Sequence, residues 1–264
     1  MHVLRLLERT VNGMLEPLGV RVVRRGPPPT IGGRRLSDEA VIAQARRQGI
    51  SAGELIEDLF GKKGRAEAII QRMRDKGALS EKVFTVCEIG PGSGLYIKHV
   101  MNHAPVRRYE IYEIVPSRGE HLAREFSVVM QPTDGETLRA TSSRSMDLVH
   151  AHGVFVTLDF LTSCSYFREM ARVTAPGGYL VFDIISEDCL DDAGVDSWLN
   201  TPLRYPSLHS RDYVIRFFTK RGFSVVDEFV TPLLVHGSSR YLILCWQGVE
   251  NEGRGSQSTE SEAI

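Results

Sequence analysis

The stretch VCEIGPGSGLYI, residues 86–97, joins a short apolar run to three glycines within five residues. A glycine inside a helix or strand costs roughly 0.5–1 kcal/mol relative to alanine, so three together indicate a turn that something approaches closely. The turn after the first strand of an open α/β sheet is a natural ligand crevice, and the helix that follows offers free N–H groups. The segment therefore predicts a strand, a ligand-binding turn and a helix.

Apolar runs continue to alternate with helical patterns beyond this stretch. Strands are predicted at 83–89, 107–114, 126–131, 146–152, 178–185, 223–230 and 239–247. Helices are predicted between most of them, at 93–103, 116–125, 161–173 and 210–221. This alternation is typical of βαβ units, and the last two strands lack a helix between them. We therefore expect an α/β fold with a Rossmann-like, seven-stranded, mostly parallel sheet and an antiparallel final strand.

Residues 1–79 are predicted to form a helical N-terminal extension or lid. Helices are expected at 2–16, 37–48, 52–60 and 65–76, and Ser51 with Glu54 forms a capping box for the third. RRGPPPTIGGRR, residues 24–35, is predicted to be a linker or loop. The polar tail, residues 248–264, is predicted to be disordered.

Composition limits the partners of the chain. The net charge of −1 does not favour nucleic acid. The four cysteines form no CxxC pair, and the chain has no apolar run of about 18 residues, which together favour a cytoplasmic protein with reduced thiols. The N-terminus does not read as a signal peptide because Arg5, Glu8 and Arg9 interrupt it. The amphipathic helix at 2–16 has two alternative roles: docking on the main domain or a second subunit, or contact with an anionic membrane surface.

Two carboxylates flank the glycine turn. Glu88 precedes it at a strand end, where a charge needs a partner such as the ammonium of a ligand. Glu113 ends the second strand, where an acid can bind both hydroxyls of a ribose, and Glu110 is a competing candidate deeper in that strand. Leu95 stands where the dinucleotide fingerprint G-x-G-x-x-G requires its third glycine, which opposes a nicotinamide-dependent oxidoreductase.

The ordered set VCEIGPGSG, YEIYE, QPTDGETL, MDLVHAHGVF and VTAPGGYLVFDI resembles the motifs of class I S-adenosylmethionine-dependent methyltransferases. The resemblance covers residues 80–247 and implies a methyltransferase domain there. It implies that Gly90, Gly92 and Gly94 flank the methionine part of the cofactor, with Glu88 and His150 nearby. It also implies that Glu113 binds the ribose, and that Asp134 with Gly135 binds the adenine.

Two histidines lie at the end of the fourth strand, and residues that follow this strand in the family face the methyl group. His152 occupies the position of the N/D-P-P-Y motif of nucleobase amino-group methyltransferases, and that motif is absent. An imidazole is suited to deprotonating a hydroxyl near pH 7, so His152 is the first candidate base and His150 the second. The alternative is that His152 only packs beneath the cofactor.

Acidic and aromatic residues follow the fifth strand. Asp183 closes that strand as a further catalytic candidate, and Glu187 and Asp188 are candidates for binding sugar hydroxyls or a divalent metal such as Mg²⁺. The loop beyond them adds three candidate acceptor-binding residues: Trp198, Tyr205 and His209. A solvated or simply packed loop is the alternative for this region, and a metal requirement stays open.

VNGMLEPLGVRVVRR, HAHGVFV and VFDIISEDCLD resemble bacterial, actinobacterial polysaccharide-associated sugar O-methyltransferases, such as those of mycobacterial methylmannose polysaccharides. This similarity implies a mannoside or related saccharide acceptor for an in-line, histidine-assisted methyl transfer. The alternatives are a phenolic, polyketide or lipid hydroxyl as acceptor, and a non-enzymatic nucleotide-binding module.

Overall fold

The computed structural model describes residues 30–31, 34–35, 38–200, 205, 207–233 and 237–248. The chain divides into one unit up to Ser37 and a second from Asp38. Within the first unit, β1 (Thr30–Ile31) and β2 (Arg34–Arg35) form an antiparallel pair, so the prediction of an irregular linker over 24–35 was wrong there. The predicted helix at 2–16 and the tail beyond residue 248 lie outside the described residues.

The second unit begins with three helices. These are α1 (Asp38–Gln48), α2 (Ala52–Leu59) and α3 (Arg65–Asp75). The predicted capping box of α2 is confirmed, because the Ser51 hydroxyl accepts from the N–H of Glu54 and the Glu54 carboxylate accepts from the N–H of Ser51. Glu57 is buried and accepts hydrogen bonds from Gly64 N and Ala66 N, which satisfies donors at the start of α3.

The remaining elements build the predicted α/β layer. The strands are β3 (Thr85–Ile89), β4 (Arg108–Tyr112), β5 (Val129–Met130), β6 (Met146–Ala151), β7 (Thr174–Ile184), β8 (Phe223–Pro232) and β9 (Ser238–Trp246). The helices are α4 (Leu95–His103), α5 (Pro116–Phe126), α6 (Phe160–Val173), α7 (Asp192–Asn200) and α8 (Arg211–Thr219).

The sheet has the order β5-β4-β3-β6-β7-β9-β8. β9 runs antiparallel to both of its neighbours, and the pairs on the other side of β7 are all parallel. The predicted seven-stranded, mostly parallel sheet with an antiparallel final strand is therefore confirmed. Strand order reverses between β3 and β6, so the turn after β3 lies at the switch point where open sheets bind ligands.

Each face of the sheet carries its own apolar layer. One face packs against α6 and α8 and is rich in phenylalanine, with Phe155, Phe167, Phe182 and Phe218 fully buried. We call it the aromatic face. The other face packs against α3, α4 and α5 through aliphatic side chains such as Ile69, Ile97 and Ile111. It also carries polar side chains, described below, and we call it the polar face.

The sequence pattern missed one helix, α7, together with the 3-10 turn Glu187–Cys189 before it. No side chain of α7 is buried, and its apolar residues Val195, Trp198 and Leu199 cover a single helical turn, which is too short a pattern to predict a helix. Within the part of the chain that the structure describes, we find no helix long and apolar enough to cross a membrane.

Candidate active site

The glycine turn connects β3 to α4. Gly90, Gly92 and Gly94 all have positive φ angles, of 62°, 56° and 76°. A Cβ on Gly94 would lie 2.6 Å from Leu122 Cδ2, so packing as well as conformation requires glycine there. Among the described parts of the chain, a Cβ on Gly92 would meet only Gly90 O, at 3.9 Å. The backbone at Gly92 therefore faces open space, which suits a ligand lying against the turn.

Electrostatics around the turn favour a cation beside β3 and hydrogen-bond acceptors at the start of α4. Among the residues that the structure describes, no side chain caps α4 at Gly94, and its first turn holds no acidic residue, so its N–H groups are open to a ligand. Glu88, at the end of β3, is 1% exposed, and its Oε2 accepts a 2.6 Å hydrogen bond from the Tyr109 hydroxyl. Burial raises the pKa of Glu88 to about 8, and the nearby Glu113 adds to the shift.

The two acids of the second strand point to opposite faces of the sheet. Glu113, just beyond β4, is buried and accepts a 2.8 Å hydrogen bond from Val115 N, with Arg118 Nη1 at 3.6 Å from its other oxygen. Glu110 lies within the strand and binds the hydroxyl of Thr141 and the guanidinium of Arg108. Glu113 is thus the acid at the carboxyl edge of the sheet, beside the glycine turn, as strand alternation suggests.

Asp134 and Gly135 lie in the turn after β5. Asp134 Oδ1 accepts from Glu136 N at 3.0 Å and Thr137 N at 2.7 Å, which orders this turn. Gly135 has a φ of 80°, and a Cβ there would lie 3.7 Å from Ile114 Cγ2. The side chain of Ile114 is 62% exposed, so an apolar surface stands beside Gly135.

A chain of hydrogen bonds crosses the polar face at its carboxyl edge. The Tyr109 hydroxyl, already bound to Glu88, lies 2.8 Å from His150 Nε2. His150 Nδ1 lies 3.0 Å from His152 Nε2, and His152 Nδ1 lies 3.2 Å from the Tyr241 hydroxyl. We call these five side chains the polar track. Strand register explains it, because paired residues point to one face, and Glu88 pairs with His150 across β3 and β6.

Both histidines of the polar track are neutral near pH 7. Burial lowers the pKa of His150 to about 3. Burial, with His150 and Arg65 as further causes, holds the pKa of His152 well below its ordinary value. His152 keeps some exposed surface while the other four members are buried. It is therefore the member of the track that a second molecule can reach, and its imidazole is a lone-pair base.

Two residues from helices α3 and α4 hold His152. The Tyr96 ring stacks on the His152 ring with centroids 3.5 Å apart and planes 9° apart. Arg65, from α3, donates from Nη1 to the Tyr96 hydroxyl at 3.1 Å and from Nε to Pro232 O at 2.7 Å. The stack fixes the plane of the imidazole, and the guanidinium opposes a positive charge on it.

Asp183 clamps the backbone next to His152. It is fully buried, and its Oδ1 accepts from Gly153 N at 2.7 Å while its Oδ2 accepts from the Ser239 hydroxyl at 2.7 Å. Burial raises the pKa of Asp183, and Arg65 opposes that shift. Both carboxylate oxygens are engaged, so Asp183 holds the turn after β6 in place.

This geometry can be compared with known proteins. The family model described as a methyltransferase domain matches residues 53–228, which is more than half of the chain. The chain belongs to the methyltransferase domain family. Its enzyme class and its methyl donor, S-adenosylmethionine, are therefore as predicted, and the oxidoreductase and non-enzymatic alternatives fall away.

Solved structures share the fold of this methyltransferase. Magnesium protoporphyrin IX methyltransferase from Synechocystis, solved with bound S-adenosylhomocysteine, is 14% identical with a TM-score of 0.52, over 81% of this chain and 90% of that chain. An O-methyltransferase family protein from Burkholderia thailandensis is 15% identical with a TM-score of 0.55, over 94% of this chain and 71% of that chain. No curated protein matches this sequence.

The candidate acceptor residues of the methyltransferase follow β7, and Trp198 and Tyr205 pack against an apolar cluster that includes Cys189 of the 3-10 turn. Glu187 and Asp188 are exposed on the 3-10 turn, where Asp188 pairs with Arg240. Trp198 and Tyr205 make an edge-on pair with ring centroids 6.0 Å apart. The residues described hold no group of three or more His, Cys, Asp or Glu arranged to bind a metal ion.

His209 is enclosed. It is 1% exposed, its ring lies 6.1 Å from the rings of both Phe160 and Phe167, and neither ring nitrogen has a hydrogen-bond partner among the residues described. Its backbone N–H donates to Ile185 O at 2.8 Å, which ties the loop to the end of β7. The structure thus packs this histidine into the aromatic face, away from the polar track.

Sequence reasoning missed five residues around His152. These are Arg65, Tyr96, Tyr109, Ser239 and Tyr241. Tyr109 could have been found from the sequence, because it lies two residues before Ile111 in β4 and so shares its face of the sheet. A hydroxyl beside an aliphatic residue on a buried face is a signal of a polar contact. The other four come from elements whose place beside His152 depends on strand order and helix packing, which local patterns do not encode.

Proposed function

We propose that this methyltransferase transfers a methyl group from S-adenosylmethionine to a hydroxyl of a saccharide, with His152 accepting the hydroxyl proton. The supporting observation is the state of His152: a neutral imidazole with exposed surface, at the carboxyl end of β6, stacked on Tyr96. Asp183 holds the adjacent Gly153, so the base is kept in one orientation. A neutral imidazole can take a proton from a hydroxyl as that oxygen attacks.

The cofactor side of the proposal uses residues that line the glycine turn and its neighbours. Gly92 leaves open space against the turn for the methionine portion of the donor, Gly90 and Gly94 give the turn its shape, and buried Glu88 would complement the donor's positive charge. Glu113, buried just beyond β4, would bind the ribose hydroxyls. When bound, the donor supplies a methyl group already activated by its sulfonium, so the protein's main task is alignment and removal of the acceptor's proton.

The adenine end would rest on the turn after β5. Asp134 keeps its carboxylate at the surface, and Ile114 presents an exposed apolar side chain beside Gly135. The flat adenine ring would pack against Ile114, and the Asp134 carboxylate would accept a hydrogen bond from its edge. Ligand sites commonly combine apolar walls with a few polar groups in this way.

The acceptor side uses the segment after β7. The Trp198–Tyr205 pair offers aromatic faces of the kind that pack against sugar rings, and Glu187 offers an exposed carboxylate for sugar hydroxyls. The resemblance to polysaccharide-associated sugar O-methyltransferases supports the same acceptor class. His209, which is enclosed in the aromatic face, would shape this pocket from behind.

A phenolic, polyketide or lipid hydroxyl is the second candidate. The observation that favours it is the exposed apolar side chains of α7, where Val195 and Leu199 flank Trp198 in sequence and are 39% and 70% exposed. An apolar acceptor would cover these side chains.

The test is an acceptor screen with methyl-labelled S-adenosylmethionine. Mannosides and other saccharides form one set, and phenols and acyl alcohols form the other; products are identified by mass spectrometry. We expect label on a saccharide hydroxyl, lost in His152→Ala and retained in His103→Ala, a histidine on the far end of α4. Label only on phenols or lipids would replace the saccharide with the second candidate, and label only on amines would reject hydroxyl transfer altogether.

A further inference from the structure

The polar track has a direction. If Glu88 is ionised, the Tyr109 hydroxyl donates to it, so the oxygen of Tyr109 must accept from His150 Nε2–H. His150 Nδ1 is then an acceptor and receives the Nε2–H of His152. His152 Nδ1 accepts in turn from the Tyr241 hydroxyl. Each neutral imidazole has one donor and one acceptor nitrogen, so every bond in the track fixes the next.

The two ends of the track differ in access and in charge. His152 keeps exposed surface, and its 3.2 Å contact with Tyr241 is the longest of the track. A relay from this end requires an acceptor hydroxyl to take the place of Tyr241 as the donor to Nδ1. Glu88 ends the track on the buried side, 1% exposed and next to the glycine turn. The track therefore joins the place where an acceptor proton is released to a carboxylate able to hold it.

We propose that Glu88, Tyr109 and His150 form a proton relay that takes the acceptor's hydroxyl proton from His152 to the Glu88 carboxylate. The proposal rests on the proposed hydroxyl transfer and adds the route of the proton. Glu88, Tyr109 and His150 act through His152, so they are positioning residues of that route.

The transfer balances in atoms and charge. The acceptor proton goes to His152 Nδ1, the Nε2 proton of His152 goes to His150 Nδ1, and the Nε2 proton of His150 goes to the Tyr109 oxygen. The Tyr109 proton goes to Glu88. The acceptor oxygen forms the new bond to the methyl carbon, and the electron pair of the broken carbon–sulfur bond stays on sulfur. One positive sulfonium and one carboxylate are lost, and every relay residue between them ends neutral.

Charges around the track favour a relay over an imidazolium. Arg65 faces His152 and disfavours a positive charge there, so a proton taken by His152 must move on. Glu113 faces Glu88 and favours its protonated form, as burial does. Asp183, Tyr96 and Arg65 face Tyr241 at the outer end. A cationic donor at the turn keeps Glu88 ionised until its charge disappears with the methyl group, and the carboxylate then takes the proton.

The relay makes a distinctive prediction about tautomers. When Glu88 is ionised, both histidines carry hydrogen on Nε2; when Glu88 is protonated, the whole track reverses and both carry hydrogen on Nδ1. Nitrogen-15 NMR of the histidine rings distinguishes these tautomers in the full chain without any donor. We expect His150 and His152 to switch together as the pH crosses the titration of Glu88, with a midpoint near the value of about 8.

Matched tyrosine variants on β4 test the connection. Tyr109→Phe removes the link between Glu88 and His150, and we expect it to abolish the joint switch. Tyr112→Phe removes one hydroxyl that binds Thr141 on the opposite face, and we expect the switch to remain. Glu88→Gln provides a second variant without the titrating group, and it should remove the switch at pH 8.

Several results would overturn the relay. They are histidines that keep one tautomer across the titration, histidines that switch separately, and a joint switch that survives Tyr109→Phe. Where hydroxyl transfer is measurable, Tyr109→Phe should lower kcat at least about tenfold with the KM for the donor unchanged. Because the NMR measurement needs neither donor nor acceptor, an error in the proposed acceptor leaves its outcome unaffected.

Discussion

The aromatic face and the polar face belong to one sheet but bury different kinds of side chain. Phe167 on the aromatic face contacts the rings of Phe155 and Phe182, with centroids 4.8 and 5.4 Å away. The polar face instead carries the ionisable side chains of Glu88 and His150, which are both buried. Burying ionisable groups costs free energy that burying phenylalanine does not. The aromatic face therefore stabilises the fold, and we interpret the polar track as the part kept for chemistry.

Phe167→Ala should produce the largest loss of stability. Truncating a buried phenylalanine typically lowers the free energy of unfolding by about 3–5 kcal/mol, because contacts are lost and a cavity remains. Denaturant unfolding of Phe167→Ala and Tyr109→Phe measures the contrast between the faces. A loss at Tyr109 as large as that at Phe167 would remove the distinction between them.

His152→Ala should produce the largest loss of activity. Without its base, turnover should fall by about 10²–10⁴-fold, while binding of S-adenosylhomocysteine, measured by calorimetry, stays within a few-fold of the wild type. The free energy of unfolding should change little, since His152 retains exposed surface. Turnover close to that of His103→Ala would show that the proton leaves by another route.

Glu88→Gln should change how stability depends on pH. Burial raises the pKa of Glu88 from 4.5 to about 8, so between these values the folded chain holds a proton that the unfolded chain has released. Raising the pH through this window should lower the free energy of unfolding by up to about 1.4 kcal/mol per pH unit. The variant should lack this slope, as urea unfolding from pH 5 to pH 9 would show.

His150 acts in the opposite direction and serves as the internal control for that experiment. Burial lowers its pKa from 6.5 to about 3, so stability from this group is present above pH 6.5 and is lost as the pH falls towards 3. Glu88→Gln should leave this acid-side loss in place. If both slopes vanish together, the carboxylate and the imidazole titrate as one coupled unit.

Gly92→Ala should cost much less stability than Phe167→Ala and act mainly on binding of the donor. Its positive φ costs an alanine about 1–2 kcal/mol, and the added Cβ meets no packed side chain. The same methyl group would project into the space proposed for the donor, so the affinity for S-adenosylhomocysteine should fall at least tenfold. Unchanged affinity in calorimetry would place the donor elsewhere.

Most of the fold was predictable because the strands are buried and the helices between them amphipathic. The helix α7 was not, since it buries no side chain and its apolar residues span only one helical turn. The residues of the site likewise divide into those that the sequence predicted and those that it did not. Glu88 and the two histidines follow from motifs within single strands, whereas Tyr241 and Arg65 reach His152 and Tyr96 across 89 and 31 residues of sequence. Such contacts depend on strand order and helix placement, which no short pattern specifies.

Arg65 has a practical consequence for anyone shortening this gene. Its guanidinium joins α3 to Tyr96 in the helix after the glycine turn and to the carbonyl of Pro232 at the end of β8. A truncation at residue 80 would keep the whole sheet yet strip the support from the tyrosine that stacks on His152. Such a fragment would also lose the cover that α3 gives the polar face through Ile69, so we expect it to be less stable as well as to hold the imidazole loosely. Expression vectors should therefore start no later than Asp38, where the second unit begins.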